Sequence, residues 1–409
     1  MRHVVVVGSS LAGLRACETL RQEGFDGEIT LVGAETEIPY DRPPLSKKVL
    51  AGEWDSDRIR LRKADDFAGL ALNMRLGSPA VALRPDSRIV SLADGSELPF
   101  DGLVIATGAA PRRLPNQPDL DGVVELRTLA NSIDLRDRIA DGTARVTVIG
   151  AGFIGLEVAA TARQRGCAVT VLEGAPAPLI RGLGAEMGTA VAAVHTRHDV
   201  DLRCGVGVAG VEGDGTRVTD VRLADGSLIA SDVVVVGVGV APATQWLVDS
   251  GLQLGDGIIC DATLHTSAPG IYAAGDCARW PNAVFAGFDD EEMRIEHWTN
   301  AAEQGAAAAR NLLAVARGEA ATPYESVPFF WSDQFDSRIQ FVGRARGGDE
   351  VHVFAGDTSG SFAALYGFAG RLRGVLGVNM PRLVMPFRAL LASKATWPEA
   401  LEKARTLAP

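Results

Sequence analysis

The chain has 409 residues, of which 47% are hydrophobic and 22% charged, and a formal net charge of −11. That is the make-up of an ordinary globular protein of about two to three domains, and its acidic balance opposes a general nucleic-acid or anionic-membrane binder, because phosphate-driven attraction would have the wrong sign. Its five cysteines, Cys17, Cys167, Cys204, Cys260 and Cys277, are scattered and never spaced as C-x-x-C, which argues against a zinc site, a disulfide framework or a redox-active dithiol.

The chain opens on "MRHVVVV", which turns into a Gly/Ser loop after Val7 and then meets Arg15 and Glu18. It therefore reads as a buried strand and not as a signal peptide. No apolar run approaches the roughly 20 residues a membrane span needs, so a cytoplasmic protein without a membrane segment is expected. "HVVVVG", an amphipathic stretch over 14–23 and "EITLVG" form a βαβ unit. "RVTVIG", a helical stretch over 156–165 and "AVTVLEG" repeat it at a spacing far too long for a solenoid, so the chain carries a domain duplication. Beyond about residue 315 the texture changes. "YESVPFFWSDQFDSRIQFVG" and "SFAALYGFAGRLRGVLGVN" are strand-rich, with aromatics and Gly turns, and predict a separate α+β domain.

Each βαβ unit has a glycine-punctuated turn. In such a turn the first Gly permits the tight bend, the second admits a pyrophosphate to the backbone, and the third lets the helix pack on its strand. In "GSSLAG" Gly8 and Gly13 hold the outer positions and Ser10 the middle one. Glu35 lies 22 residues beyond Gly13, at the end of the next strand, where an acid can hydrogen-bond a ribose. In "GAGFIG" the pattern is complete, with Gly150, Gly152 and Gly155, and Glu173 follows 18 residues after the last. A carboxylate there repels the 2′-phosphate of NADP, so NADH is favoured; the nearest compensating cation is Arg181, eight residues on.

The ordered set "PYDRPPLSK" (39–47), "LVIATGAAPR" (103–112), "GAGFIGLEVAA" (150–160), "VVVVGVGVAP" (233–242), "IYAAGDCAR" (271–279), "IEHWTNAAEQG" (295–305) and "FFWSDQFDSRIQFVG" (329–343) runs nearly end to end. In it the chain resembles the flavin-dependent, NADH-linked ferredoxin reductases of bacterial oxygenase systems: putidaredoxin reductase, rubredoxin reductases and the reductases of aromatic-ring dioxygenases. The one departure is Ser10, where such proteins often carry glycine.

The resemblance implies a glutathione-reductase-like α/β fold of two Rossmann-like dinucleotide-binding domains and a C-terminal α+β domain. It divides the chain into an FAD-binding domain over 1–108 and 235–315, an NADH-binding domain over 109–234 and the C-terminal domain over 316–409. It places Arg42 near the flavin pyrophosphate and Lys47 near the isoalloxazine, with Glu157 approaching that lysine. Asp276, after Gly275, is implied to accept from the ribityl chain, and Trp298 to contact the flavin. Further cofactor contacts are implied for Ala12, Val81, Ala106, Thr107, Gly108 and Arg127, for Phe153 and Ile154 in the second glycine turn, and for Gly237 and Gly239. Lys47 and Glu157 are the implied catalytic pair, and no metal is implied.

In "EHWTNAAEQG", Asn300 and Glu303 fit an N-cap and its N3 acid, so a helix is predicted to start at Asn300. Cys277 reads as a buried small residue and not as a nucleophile.

The implied activity passes electrons from NADH through FAD to a small [2Fe-2S] ferredoxin, which feeds an oxygenase such as a cytochrome P450 or a Rieske dioxygenase. A rubredoxin reductase, an NADH oxidase and a low-turnover redox-sensing flavoprotein are the alternatives. Because the chain is acidic, docking on an acidic ferredoxin needs a local positive area, for which "RIRLRK" (58–63), Arg310, Arg338 and Arg344 are the candidates.

Overall fold

The computed structural model describes residues 1–288 and 292–408 and divides into two compact units. The first comprises 1–41, 59–110 and 241–328; the second comprises 42–58, 111–240 and 329–409.

The first unit is built on a parallel sheet in the order Ile271–Ala273, Gly102–Ile105, His3–Val7, Glu28–Val32, Leu72–Arg75. Val4, Val5 and Val6 are fully buried, as the continuous apolar run of a parallel strand covered on both faces requires. Helix Leu11–Gln22 lies against helix Trp298–Ala316. Gly305 permits this approach: a Cβ there would stand 2.1 Å from the Ala12 carbonyl oxygen. An antiparallel meander, Ala80–Arg84, Ile89–Leu92 and Glu97–Pro99, completes the unit together with a small sheet over 254–293.

The second unit repeats the scheme, in the order Asp201–Cys204, Ala168–Glu173, Arg145–Ile149, Val233–Val236, Val123–Val124, again parallel throughout. Helix Phe153–Gln164 follows its glycine turn. The unit also holds an antiparallel five-stranded sheet ordered Phe329–Gln334, Ser337–Gly343, Arg371–Val378, Phe362–Phe368, Glu350–Gly356. Ile339, Phe341, Phe362, Tyr366 and Leu376 of this sheet share one apolar core with Val146, Val148 and Val171 of the parallel sheet and Leu156 of helix Phe153–Gln164. The closing helix Trp397–Leu407 starts on a capping box made by Thr396 and Glu399.

The units differ from the sequence-based division: 109–110 fall in the first unit and 235–240 in the second, the C-terminal sheet shares the second unit, and two longer segments change sides. Residues 42–58, expected with the first dinucleotide-binding domain, fold with the second unit. Leu50 joins its core, Ser132 and Thr161 donate to the Leu45 and Ser46 carbonyls at 2.6 and 2.8 Å, and Arg165 donates to those of Leu50 and Ala51. Residues 316–328, expected with the C-terminal domain, stay with the first unit, where Tyr324 donates its backbone N–H to Ala262 and Asn311 brackets Thr322.

The helix predicted with Asn300 as its N-cap begins three residues earlier, with His297 at the N-cap and Trp298 as its first residue. Asn300 is buried in the first turn and donates to the Ile295 carbonyl at 3.1 Å, while Glu303 accepts from Ser326 Oγ at 3.0 Å. Both side chains are committed to neighbouring segments and not to a cap.

Candidate functional site

The two glycine turns are superimposable in their logic. Gly8 (φ +127°) and Gly150 (φ +106°) lie in the backbone region that glycine favours, and a Cβ on either would strike a carbonyl oxygen of the adjacent strand end, Ala106 at 2.0 Å and Gly237 at 2.3 Å. The third glycines pack on the first: a Cβ on Gly13 would stand 1.8 Å from the Gly8 oxygen, and one on Gly155 2.3 Å from the Gly150 oxygen. The middle position is the opposite. A Cβ on Gly152 would meet nothing within 4 Å, and this residue caps helix Phe153–Gln164, whose first N–H groups and dipole suit an anion. Ser10 caps helix Leu11–Gln22 in the same way, with extended backbone. Each turn thus sets a helix N-terminus beside closely packed glycines, and the second is open at its middle position, which fits a dinucleotide pyrophosphate.

Glu173 ends its strand, Ala168–Glu173, whereas Glu35 lies three residues beyond strand Glu28–Val32. Glu173 accepts the Ala151 N–H with one oxygen and the Ala175 N–H with the other, both at 2.8 Å. A carboxylate has about four lone-pair sites, so these bonds leave capacity for a ribose while fixing the side chain against the glycine turn. Glu35 accepts from the Tyr40 hydroxyl. Arg181 is exposed and lies beside Gly239, its guanidinium 3.7 Å from where a Cβ on that residue would stand.

The other expected residues of the first unit follow strands Gly102–Ile105 and Ile271–Ala273, open helix Trp298–Ala316 or lie on strand Ala80–Arg84. Gly275 (φ +78°) donates to Gln304 Oε1 at 2.8 Å, and a Cβ on it would lie 3.1 Å from that of Ala12. The Asp276 carbonyl accepts from Arg294 at 3.0 Å. Thr107 Oγ1 donates to the Ala243 carbonyl at 2.9 Å, and Gly108 (φ +70°) accepts the Ala243 N–H. Trp298 Nε1 donates to Asp41 Oδ1 at 2.7 Å. Val81 is half exposed on strand Ala80–Arg84.

In the second unit the "RPPLSK" stretch forms a 3₁₀ turn over Pro43–Ser46, and the prolines pre-set its first residues. This delivers Lys47 to Glu157, Nζ to Oε2 at 2.7 Å. Glu157 is buried, and it also accepts Ser46 Oγ at 2.5 Å and Ser332 Oγ at 2.6 Å. Arg42 donates to the Arg127 carbonyl at 2.6 Å. Phe153 packs edge-on against Phe330 with ring centroids 4.7 Å apart, Ile154 is half exposed, and the Gly239 carbonyl accepts from Arg112 at 2.9 Å.

Ser332 carried no role in the sequence reading, although it lies in the quoted "FFWSDQ" stretch; a second polar residue, Gln334, in phase with it along the strand was the available signal.

The docking candidates are less cationic than their letters suggest. Arg62 is spent on the buried Glu18 at 3.0 Å, Arg310 on Glu23 at 3.1 Å, and Arg338 approaches Asp333 at 3.6 Å. Arg58 lies over the Trp54 ring. The cysteines are all free thiols; Cys277 is fully buried, with its pKa pushed upward by that burial. Among the described residues no helix is long and apolar enough to cross a membrane, and no group of three or more His, Cys, Asp or Glu could hold a metal ion.

Two parallel sheets, each with a dinucleotide turn, and a separate antiparallel sheet define a glutathione-reductase-like flavoprotein fold. The profile of the pyridine nucleotide-disulphide oxidoreductase family matches residues 2–305, and one described as reductase C-terminal matches 329–405. Rhodocoxin reductase of Rhodococcus erythropolis is 40% identical over 96% of this chain and 90% of its own. Putidaredoxin reductase of Pseudomonas putida is 37% identical over 93% and 89%. The crystal structure of the covalent putidaredoxin reductase–putidaredoxin complex matches with a TM-score of 0.90 at 33% identity, covering 99% of this chain and 98% of that one. The chain belongs to the pyridine nucleotide-disulphide oxidoreductase family, in its branch of ferredoxin reductases of oxygenase systems.

Proposed function

We propose that this chain is an FAD-dependent NADH:ferredoxin oxidoreductase that works in the cytoplasm and reduces a small [2Fe-2S] ferredoxin, which in turn feeds an oxygenase such as a cytochrome P450 or a Rieske dioxygenase. The first glycine turn, with Glu35, Gly275 and Asp276, is assigned to FAD, and the second, with Glu173, to NADH. The observation that carries the reading is the duplicated turn, in which glycine is required by contact at the outer positions and the middle of the second turn is open. When bound, FAD accepts a hydride from NADH and passes the electrons on one at a time.

The protein's part is to bind and position. Gly152 leaves room for a pyrophosphate at a helix N-terminus. Glu173 holds the turn and disfavours a 2′-phosphate. Lys47, fixed by Glu157, supplies one located cation to the isoalloxazine, and Trp298 is held by Asp41 at the start of its helix. The five cysteines are scattered and none is spaced as a C-x-x-C redox dithiol. The test is the purified protein itself: a yellow colour, release of FAD on acid treatment, and NADH-driven reduction of a ferredoxin encoded in the same genome. A colourless protein that refuses reconstitution with FAD overturns the reading.

A further inference from the structure

The buried Glu157 carboxylate is held from both sides. Oε2 takes Lys47 and Ser46; Oε1 takes Ser332. Behind Ser332 stands a row of two more buried side chains. Gln334 Nε2 lies 3.1 Å from Ser332 Oγ, and Gln334 Oε1 lies 2.9 Å from His195 Nε2. Ser332, Gln334 and His195 are all fully buried. Ser332 and Gln334 alternate along strand Phe329–Gln334 and so share one of its faces. His195 comes from helix Ala185–Arg197.

The row has a direction. An amide oxygen only accepts, so His195 carries its proton on Nε2, and the buried Nδ1, which has no partner, is a bare acceptor. Burial pushes the His195 pKa down to about 4, in keeping with a neutral ring. Gln334 then donates to Ser332, which leaves the serine proton one acceptor, Glu157 Oε1. Three successive donors point at one carboxylate oxygen, and such rows polarise each other in a low-dielectric interior. Ser46 cannot do the same: it neighbours Lys47 in the chain and shares Oε2 with it.

We propose that Ser332, aimed by Gln334 and His195, is a positioning residue for the Glu157–Lys47 pair. By fixing Oε1, it sets the carboxylate plane and so the place where Oε2 holds Lys47 Nζ. The consequence for turnover rests on the function proposed above, whereas the positioning does not.

The test is lysine acylation of the flavoprotein as isolated, using acetic anhydride and reading each site by mass spectrometry. Lys48, paired with Glu53 at the surface, is the internal reference. Ser332→Ala is expected to raise the Lys47-to-Lys48 labelling ratio at least about tenfold, the scale of losing a hydrogen bond to a charged group. Ser332→Thr, which keeps the hydroxyl, is expected to stay within about twofold of the wild type.

A wild-type ratio in folded Ser332→Ala overturns the proposal, and so does a Thr variant that behaves like Ala. Should Ser332→Ala not fold, Gln334→Met removes the donor that aims the serine and carries the same expectation. Unchanged turnover in Lys47→Gln would overturn the role given to Lys47 in catalysis without touching the labelling result.

Discussion

Glu173 accepts the backbone N–H of Ala151, inside the second glycine turn, at 2.8 Å. One carboxylate therefore ties the turn to the end of its neighbouring strand and places negative charge beside it, where the proposed function seats an adenosine ribose. Glu173→Ala is expected to lower kcat/KM for NADH about tenfold, and to narrow the preference for NADH over NADPH, since the repulsion of a 2′-phosphate goes with the carboxylate. Steady-state kinetics with both nucleotides decide this. Equal use of NADPH by the wild type would show that Glu173 does not discriminate.

The glycines of the second turn should separate binding from folding. Gly152 has φ −80° and ψ 176°, which any residue adopts, and a Cβ there meets nothing within 4 Å. Gly152→Ala should leave the thermal midpoint unchanged and weaken NADH binding. For Gly155→Ala the added Cβ would lie 2.3 Å from the Gly150 oxygen, and overpacking of this kind costs about 1–3 kcal/mol. Its thermal midpoint should fall. Unimpaired NADH binding in Gly152→Ala would remove the pyrophosphate from this turn.

Much of this architecture is legible in local sequence. The valine runs, the glycine spacing and the acids at Glu35 and Glu173 all sit within a few dozen residues of each other, and the strand–turn–helix they specify is a local event. The row behind Glu157 is not local. His195 meets Gln334 across 139 positions and Glu157 meets Ser332 across 175, and no spacing rule links residues on a helix, a strand and a second helix. The helix start at Trp298 was misplaced because Asn300 and Glu303 have capping letters but buried partners in neighbouring segments. The "RIRLRK" run reads as a positive face until Glu18, 44 positions before Arg62, is seen to pair with that arginine.

His195 makes stability depend on pH in a defined window. Its pKa is about 4 in the folded protein against an ordinary 6.5, so between those values the unfolded chain binds the extra proton. Stability is therefore full above pH 6.5 and falls as the pH drops toward 4, by about 2 kcal/mol between pH 7 and pH 5. Ordinary carboxylates titrate below that interval. Urea unfolding at pH 7 and pH 5 should show the loss in the wild type, and His195→Gln should lack this part of it. Equal slopes in the two proteins would mean that His195 is not held neutral.

Electron delivery to a ferredoxin is the last expectation, and the charge pairing sharpens it. Ferricyanide accepts electrons from many reduced flavins and proves only that a flavin is present. A ferredoxin must dock, and attraction between an acidic carrier and a local positive area is screened over about 10 Å at 0.1 M salt. NADH-driven ferredoxin reduction should thus slow as ionic strength rises, while ferricyanide reduction stays nearly level. Arg62 should contribute little to that salt dependence, because its guanidinium is turned onto the Glu18 carboxylate, which has only 7% of its side chain exposed. Arg62→Gln takes one of two arginines from a buried acid, the other being Arg15 at 2.6 Å, so it should lower the unfolding midpoint yet leave the salt slope of ferredoxin reduction as in the wild type. A flattened slope in Arg62→Gln would place this arginine in the docking area after all, and ferredoxin reduction insensitive to salt would remove charge steering from the encounter.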